Sequence, residues 1–178
     1  TFIHFFVMSS SPHIINMMRE MNVSQRIPLE DLFHLFEGES KFYRGRPEMV
    51  LMKMTSTQRN VQVFRGGKVQ ILGAVSDAEA ESMRQEFERK LKRIKKMESC
   101  QVSSLTIKNM VVSLKLKLPV NLRKIVCSNE VLSYEVELFP AALIRKWHPI
   151  HVALFHNGKM IVTGVRSLST LNDIVNSV

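Results

Sequence analysis

The sequence predicts an α+β fold in which two pseudo-symmetric repeats form a curved antiparallel sheet with helices packed on one face. The first observation is a duplicated stretch. Phe64-Arg-Gly-Gly-Lys68-Val-Gln-Ile-Leu-Gly73 returns 91 residues later as Phe155-His-Asn-Gly-Lys159-Met-Ile-Val-Thr-Gly164. Both copies run aromatic, two turn-formers, Gly-Lys, apolar strand and closing glycine, the pattern of a hairpin whose turn needs glycine's conformational freedom. A repeat of this length signals a duplicated structural unit. The second observation is that strand, short helix, antiparallel strands and a longer helix occur twice in the same order. Helices segregated in this way cover one sheet face and leave the other open.

In chain order, residues 14 to 24 read as a strand. Pro28 opens a short amphipathic helix over Leu29 to Phe36, since proline is tolerated in a first turn. Lys41 to Arg46 reads as a basic connector. Strands follow at Val50 to Met54, Val61 to Phe64 and Val69 to Leu72, the first two joined by the polar turn Thr55 to Asn60. Ser76-Asp-Ala-Glu79 is a capping box, and Met83, Phe87, Leu91 and Ile94 continue at helical spacing for about five turns. That helix carries Arg84, Arg89, Lys90, Lys92, Arg93, Lys95 and Lys96, most of them expected to face solvent. Residues 97 to 104 read as a link, which separates a first repeat at 14–96 from a second at 105–178 and leaves 1–13 as an N-terminal extension. The second pass begins with a strand from Ile107 to Leu118. A short helical stretch after Pro119, a connector, three strands and a helix from about Ser167 complete it.

Composition bounds the partners. With 25 Lys and Arg against 16 Asp and Glu, the net charge is +9, which points to a polyanion such as nucleic acid or an anionic membrane face. Two cysteines, Cys100 and Cys127, without a CxxC pair point to a reduced intracellular setting. The opening Thr1 to Met8 is apolar but far shorter than the roughly 18 residues of a membrane helix, and it lacks a signal peptide's basic start. The missing initiator Met is expected of a fragment or tagged chain, and the helical spacing of Leu168, Leu171, Val175 and Val178 predicts that more chain follows.

Catalytic and metal sites are not expected. Gly66-Gly67-Lys68 lacks the spacing of a phosphate-binding loop. His148 and His151 would face opposite sides of a strand, which argues against a metal site with His156, and no nucleophile, base and acid stand at recognisable spacing. The methionines, among them Met17, Met49, Met52 and Met54, read as adaptable core filling and not as a cofactor site. No cofactor is implied.

Alternation along the strands gives the open face. Val61, Val63, Val69 and Ile71 point to the helices, and Gln62, Phe64, Gln70 and Leu72 point outward. Ala153, Phe155, Ile161 and Thr163 form the outward set of the second repeat, which is more apolar than a solvated face should be.

These residues resemble the TATA-box-binding protein family over nearly the whole chain, from about Ile14 to Val178. Ile107-Lys-Asn109-Met-Val111 resembles the family's central asparagine strand, Ser133-Tyr-Glu135-Val-Glu137-Leu-Phe139-Pro140 its stirrup, and Phe155 to Gly164 its second phenylalanine hairpin. The resemblance implies a saddle whose concave sheet sits in a widened DNA minor groove, with phenylalanines wedged into base steps. Asn16 and Asn109 then resemble the amides that donate to base edges, with Met18, Val111, Ile161 and Thr163 on the same face. Phe139 and Phe155 resemble an intact wedge, and Phe64 half of another. Lys53, Lys68, Arg145, Lys159 and Arg166 fall at or near phosphate-contact positions, which orient the protein without reading sequence. Glu135, Glu137 and Leu138 resemble the surface that meets transcription factor IIB, and the basic helix resembles a regulator-binding surface.

The first repeat departs from this pattern. Pro47 stands within one residue of where the family has its first wedge phenylalanine, and Glu48 follows it. Gln62 and Gln70 replace aliphatic residues, and Leu72 replaces the threonine matched by Thr163. A proline still wedges, whereas a carboxylate near phosphates is repulsive. The expectation is an asymmetric saddle with a competent second repeat and altered DNA contact in the first. The implied role is a transcription initiation factor that binds and bends A·T-rich promoter DNA beside a factor IIB-like protein and the RNA polymerase machinery. The alternative is a scaffold that keeps the saddle for proteins or for nonspecific nucleic acid. The divergence also resembles TATA-binding-like proteins of large DNA viruses, which makes the expected location the nucleus or a cytoplasmic viral factory.

Overall fold

The computed structural model describes residues 11–125, 131–144 and 147–177. The chain divides into two compact units. One is Asn16–Lys108, and the other takes in the described residues from Asn109 onward together with 11–15.

The first unit holds β1 (His13–Asn22) from Asn16 on, followed by α1 (Leu29–Leu35), β2 (Ser40–Tyr43), β3 (Met49–Lys53), β4 (Asn60–Phe64), β5 (Lys68–Leu72) and α2 (Asp77–Leu91). The strands pair antiparallel in the order β2-β3-β4-β5-β1. Val50, Met52, Val61, Val63, Val69 and Ile71 are buried with Leu29, Leu32, Met83, Phe87 and Leu91 in one core. Each such side chain contributes about 1.5–3 kcal/mol by leaving water, so this face fixes the register of every strand. Ser76 caps α2, its Oγ accepting from Glu79 N at 3.1 Å. The Glu79 carboxylate accepts from Val75 N at 2.7 Å, one residue before the position an ideal capping box would use.

One expectation about this unit changes. The supposed connector from Lys41 contains the edge strand β2, whose Ser40–Tyr43 pairs with Met49–Met52. Four residues with two polar members are too few for alternation to show. The stretch expected to link the repeats after residue 96 is itself paired to β1 and the residues after it. Val23 bridges Val102, Ser24 N donates to Gln101 O at 2.9 Å, and Ser103 N donates to Asn22 O at 2.8 Å. Within the basic helix Lys90 is buried, against the expected trend. It pairs with Glu39 and Glu86 and lies 5.1 Å from the Phe36 ring centroid.

The second unit takes up β6 (Thr106–Lys115) from Asn109 on and leads through α3 (Leu122–Ile125) to β7 (Val131–Ser133), β8 (Ala141–Ile144), β9 (His151–Phe155), β10 (Lys159–Val165) and α4 (Leu168–Ser177). Its strands pair in the order β6-β10-β9-β8-β7, the same order of equivalents. Here too the edge strand, β7, lies in what reads as a connector. Val112, Leu114, Val152, Leu154, Met160 and Val162 are buried, as are Leu122, Leu171 and Ile174 of the helices.

The duplicated turn has the same construction twice. Gly67 and Gly158 have φ of 94° and 83°. Their carbonyls accept from Val23 N at 2.8 Å and Leu116 N at 2.9 Å. A Cβ at either would come within 2.7 Å of a backbone oxygen, Val23 O or Leu118 O. Glycine is required in both copies by conformation and by close approach.

Candidate nucleic-acid interface

The strand registers lay out the outward face of each unit in rows. In the first unit one row is Met18, Leu72, Asn60 and Lys53, and the next is Glu20, Gln70, Gln62, Leu51 and Lys41. In the second unit the corresponding rows are Val111, Thr163 and His151, then Ser113, Ile161, Ala153 and Leu143. One repeat therefore carries a polar row where the other is apolar, as the alternation predicts.

The two phenylalanines expected to form a wedge in the second unit meet. Phe139 and Phe155 pack edge to face with centroids 5.9 Å apart, and Phe139 remains 44% exposed. A tight turn holds Phe139 in place, because Leu138 N and Phe139 N both donate to Glu135 O, at 2.9 and 2.8 Å. In the first unit Met49 pairs with Phe64, just as Ala141 pairs with Phe155. Two residues before those partners stand Pro47 and Phe139, so the register removes the one-residue ambiguity and makes Pro47 the counterpart of Phe139. Phe64 has the Lys68 ammonium 4.9 Å from its ring centroid.

Glu48 is not a bare charge beside this edge. Arg65 donates to its carboxylate through Nε at 2.9 Å and Nη2 at 2.7 Å, and Nη2 also reaches Glu30 at 2.7 Å. The Arg65 hydrogen bond holds the Glu30 carboxyl below the usual range. The bonds to Glu30 and Glu48 in turn raise the guanidinium's pKa.

Asn109 is oriented by the chain itself. Its Oδ1 accepts from Gly164 N at 2.9 Å, at the bulge where β10 shifts register against β6. An amide N–H can face only the carbonyl end of an asparagine, so the Asn109 NH2 is the end left to donate elsewhere. Asn16 is exposed and makes no such bond among the described residues. Met18, Val111, Ile161 and Thr163 are half-buried on the outward faces, and Thr163 Oγ1 lies 3.5 Å from His151 O.

Lys53, Lys68, Lys159 and Arg166 are exposed. Arg145 lies outside the described residues. Glu135, Glu137 and Leu138 are exposed on the turn between β7 and β8, Leu138 to 80%. No group of three or more His, Cys, Asp or Glu among the described residues is arranged to hold a metal. None of the described helices is long and apolar enough to cross a membrane.

Glu20 is the outward residue the sequence reading passed over. It lies between Gln70 and Lys108, accepting from Gln70 Nε2 at 3.2 Å and pairing with Lys108 Nζ at 3.2 Å. Burial pushes its carboxyl up, but these bonds prevail and its pKa is lowered. The alternation that marks Asn16 and Met18 also marks position 20.

Known proteins resemble this chain over both repeats. The family model described as "Transcription factor TFIID (or TATA-binding protein, TBP)" matches residues 11–94 and 104–178. A TBP-related factor of Drosophila melanogaster is 30% identical over 148 residues, which span 80% of this chain and 62% of that protein. The TATA-box-binding protein of Methanocaldococcus jannaschii is 28% identical over 162 residues, 90% of this chain and 87% of that one. The solved structure of Methanococcus jannaschii TBP superposes with a TM-score of 0.76 at 25% identity, covering 94% of this chain and 98% of that chain.

Proposed function

Because the chain belongs to the TATA-binding protein family, matched over both of its repeats, we propose that it is a transcription initiation factor that grips and bends A·T-rich promoter DNA through the minor groove. The second repeat makes the stronger grip. Wedge kinking is known of this family and is taken from it. What supports it in this chain is the Phe139–Phe155 pair at the edge of an outward face whose rows are Val111, Thr163, Ser113, Ile161 and Ala153. Such a face sheds water readily against the sugar and base edges of a widened groove.

The chemistry of selection follows from donors and acceptors. A·T pairs show only acceptors in the minor groove, so a donor on an apolar face favours them. The Asn109 NH2 is that donor, and Asn16 and Thr163 are further ones. Lys53, Lys68, Lys159 and Arg166 meet phosphates, and Arg145 joins them on the family pattern. Glu135, Glu137 and Leu138 receive a factor IIB-like protein, which connects the complex to the RNA polymerase machinery. The role is non-enzymatic. It is exercised in the nucleus, or in a cytoplasmic viral factory for a virally encoded chain.

One observation favours a second reading. Glu20, Gln70 and Gln62 make the first repeat's outward row polar and partly acidic, which suits a scaffold that uses this face for proteins or for nonspecific nucleic acid. Titration of an A·T-rich element against a G·C-rich duplex at two salt concentrations, with end-to-end energy transfer to report bending, decides between them. The initiation-factor reading expects preference for the element, a bent complex and an affinity that falls steeply with salt. Equal binding to both duplexes at both salts would rule it out.

A further inference from the structure

The first repeat carries an outward amide whose polarity is the reverse of that of Asn109. Gln70 Nε2 donates to Glu20 at 3.2 Å, and Lys108 holds Glu20 from its other side at 3.2 Å. A carboxylate only accepts, so the end of Gln70 beside it is the NH2 and the free end is the carbonyl oxygen. Gln62 is the Cα partner of Gln70 across β4 and β5, and Glu20 is its partner across β5 and β1. At Gln70 the row therefore offers a carbonyl acceptor, beside the Glu20 carboxylate. The equivalent residues of the second repeat, Ser113, Ile161 and Ala153, form an apolar row closed by one hydroxyl.

In the minor groove the guanine N2 amino group is the one donor that base edges present. An acceptor pressed against an A·T pair meets only acceptors and loses its water without replacement. Against a G·C pair it is satisfied. An isoleucine in the same place does the opposite, since it tolerates A·T and leaves the guanine amino group buried and unpaired. We propose that Gln70, fixed by Glu20 and flanked by Gln62, is a specificity-determining residue that makes the first repeat's half-site accept a G·C pair, while the second repeat's half-site stays restricted to A·T. This rests on the minor-groove reading above.

The test scans single G·C pairs through an A·T-rich element and repeats each duplex with inosine·cytosine. Hypoxanthine lacks the N2 amino group, so an I·C pair shows the minor groove an A·T-like edge. With the full chain, G·C should cost less than about threefold in one half of the element, and I·C there should bind no better than G·C. In the other half G·C should cost about tenfold or more and I·C should restore binding. Gln70→Ile should bring the G·C penalty of the tolerant half to about tenfold, measured against the all-A·T element bound by the same variant. A thermal melt checks that this variant folds, and the wild-type G·C against I·C comparison needs no variant. Equal G·C penalties in both halves, or an unchanged pattern for Gln70→Ile, would overturn the assignment while the element is still preferred to a G·C-rich control. Loss of that preference itself would instead overturn the minor-groove reading and this inference with it.

Discussion

Phe139 and Phe155 meet edge to face, 5.9 Å between ring centroids, while the residue in the place of Phe139 beside Phe64 is a proline, Pro47. Phe139 and Phe155 brace each other ring against ring, whereas the ring contact described for Phe64 is the Lys68 ammonium. Phe155→Ala should therefore weaken binding to an A·T-rich element by about tenfold or more, the scale of one lost aromatic–base stack. It should also reduce the bend. Phe64→Ala should cost clearly less, and Pro47→Phe should strengthen binding. Equilibrium titration with an energy-transfer bend readout checks all three, and equal losses for the two phenylalanines would contradict the asymmetry.

Arg65 is divided between Glu48 and Glu30 at the edge that Phe64 occupies. Removing one carboxylate should release the guanidinium toward phosphate. Glu48→Gln should strengthen DNA binding by about threefold at low salt, with the gain shrinking as salt screens it. Arg65→Ala should weaken binding, because two acidic groups are then left uncompensated. Unchanged binding for Glu48→Gln would mean that Arg65 stays out of reach of the duplex.

The sheet's inward and outward faces were legible because apolar and polar residues alternate cleanly at Val61 to Phe64 and Val69 to Leu72. Duplication supplied the rest of the architecture, since each ambiguous element had a second copy to be compared with. The edge strands β2 and β7 escaped because four and three residues carry too little pattern. The Arg65–Glu48–Glu30 cluster was beyond reach for another reason. It joins residues 17 and 35 positions apart whose meeting depends on how β3, β4 and α1 pack. The opposite anchoring of Asn109 and Gln70 likewise depends on one bulge amide and one neighbouring carboxylate, which sequence spacing does not show.

The duplicated turns make a stability prediction with an internal control. Gly67→Ala and Gly158→Ala should each destabilise by about 1–3 kcal/mol, since a left-handed φ and a Cβ only 2.7 Å from a carbonyl oxygen act together. Gly66→Ala, with nothing within 4 Å of its added Cβ, should leave the melting temperature nearly unchanged. A drop for Gly66→Ala equal to that of its neighbour would show that chain flexibility, not the close approach, dominates.

Glu86 couples the stability of the first unit to pH. It is 5% exposed, and its carboxylate accepts from Thr55 N and Thr55 Oγ1 at 2.8 Å and from Ser56 N at 2.9 Å, with Lys90 Nζ at 3.4 Å. Burial alone would push its carboxyl up, but the Ser56 and Thr55 donors outweigh burial and bring it down to about 2. A carboxyl depressed in the folded state stabilises above its unfolded pKa, and that contribution is lost as pH falls through the folded value. From an ordinary 4.5 to about 2, the contribution is about 3 kcal/mol, fully present above roughly pH 5 and gone near pH 2. Glu86→Gln presents an NH2 where donors already point, so it should lower stability by about 2–3 kcal/mol at pH 7. The gap to wild type should close as pH falls from 4.5 toward 2. Urea unfolding of both proteins across that range measures it, and a gap that stays constant with pH would assign the loss to packing and not to the charge.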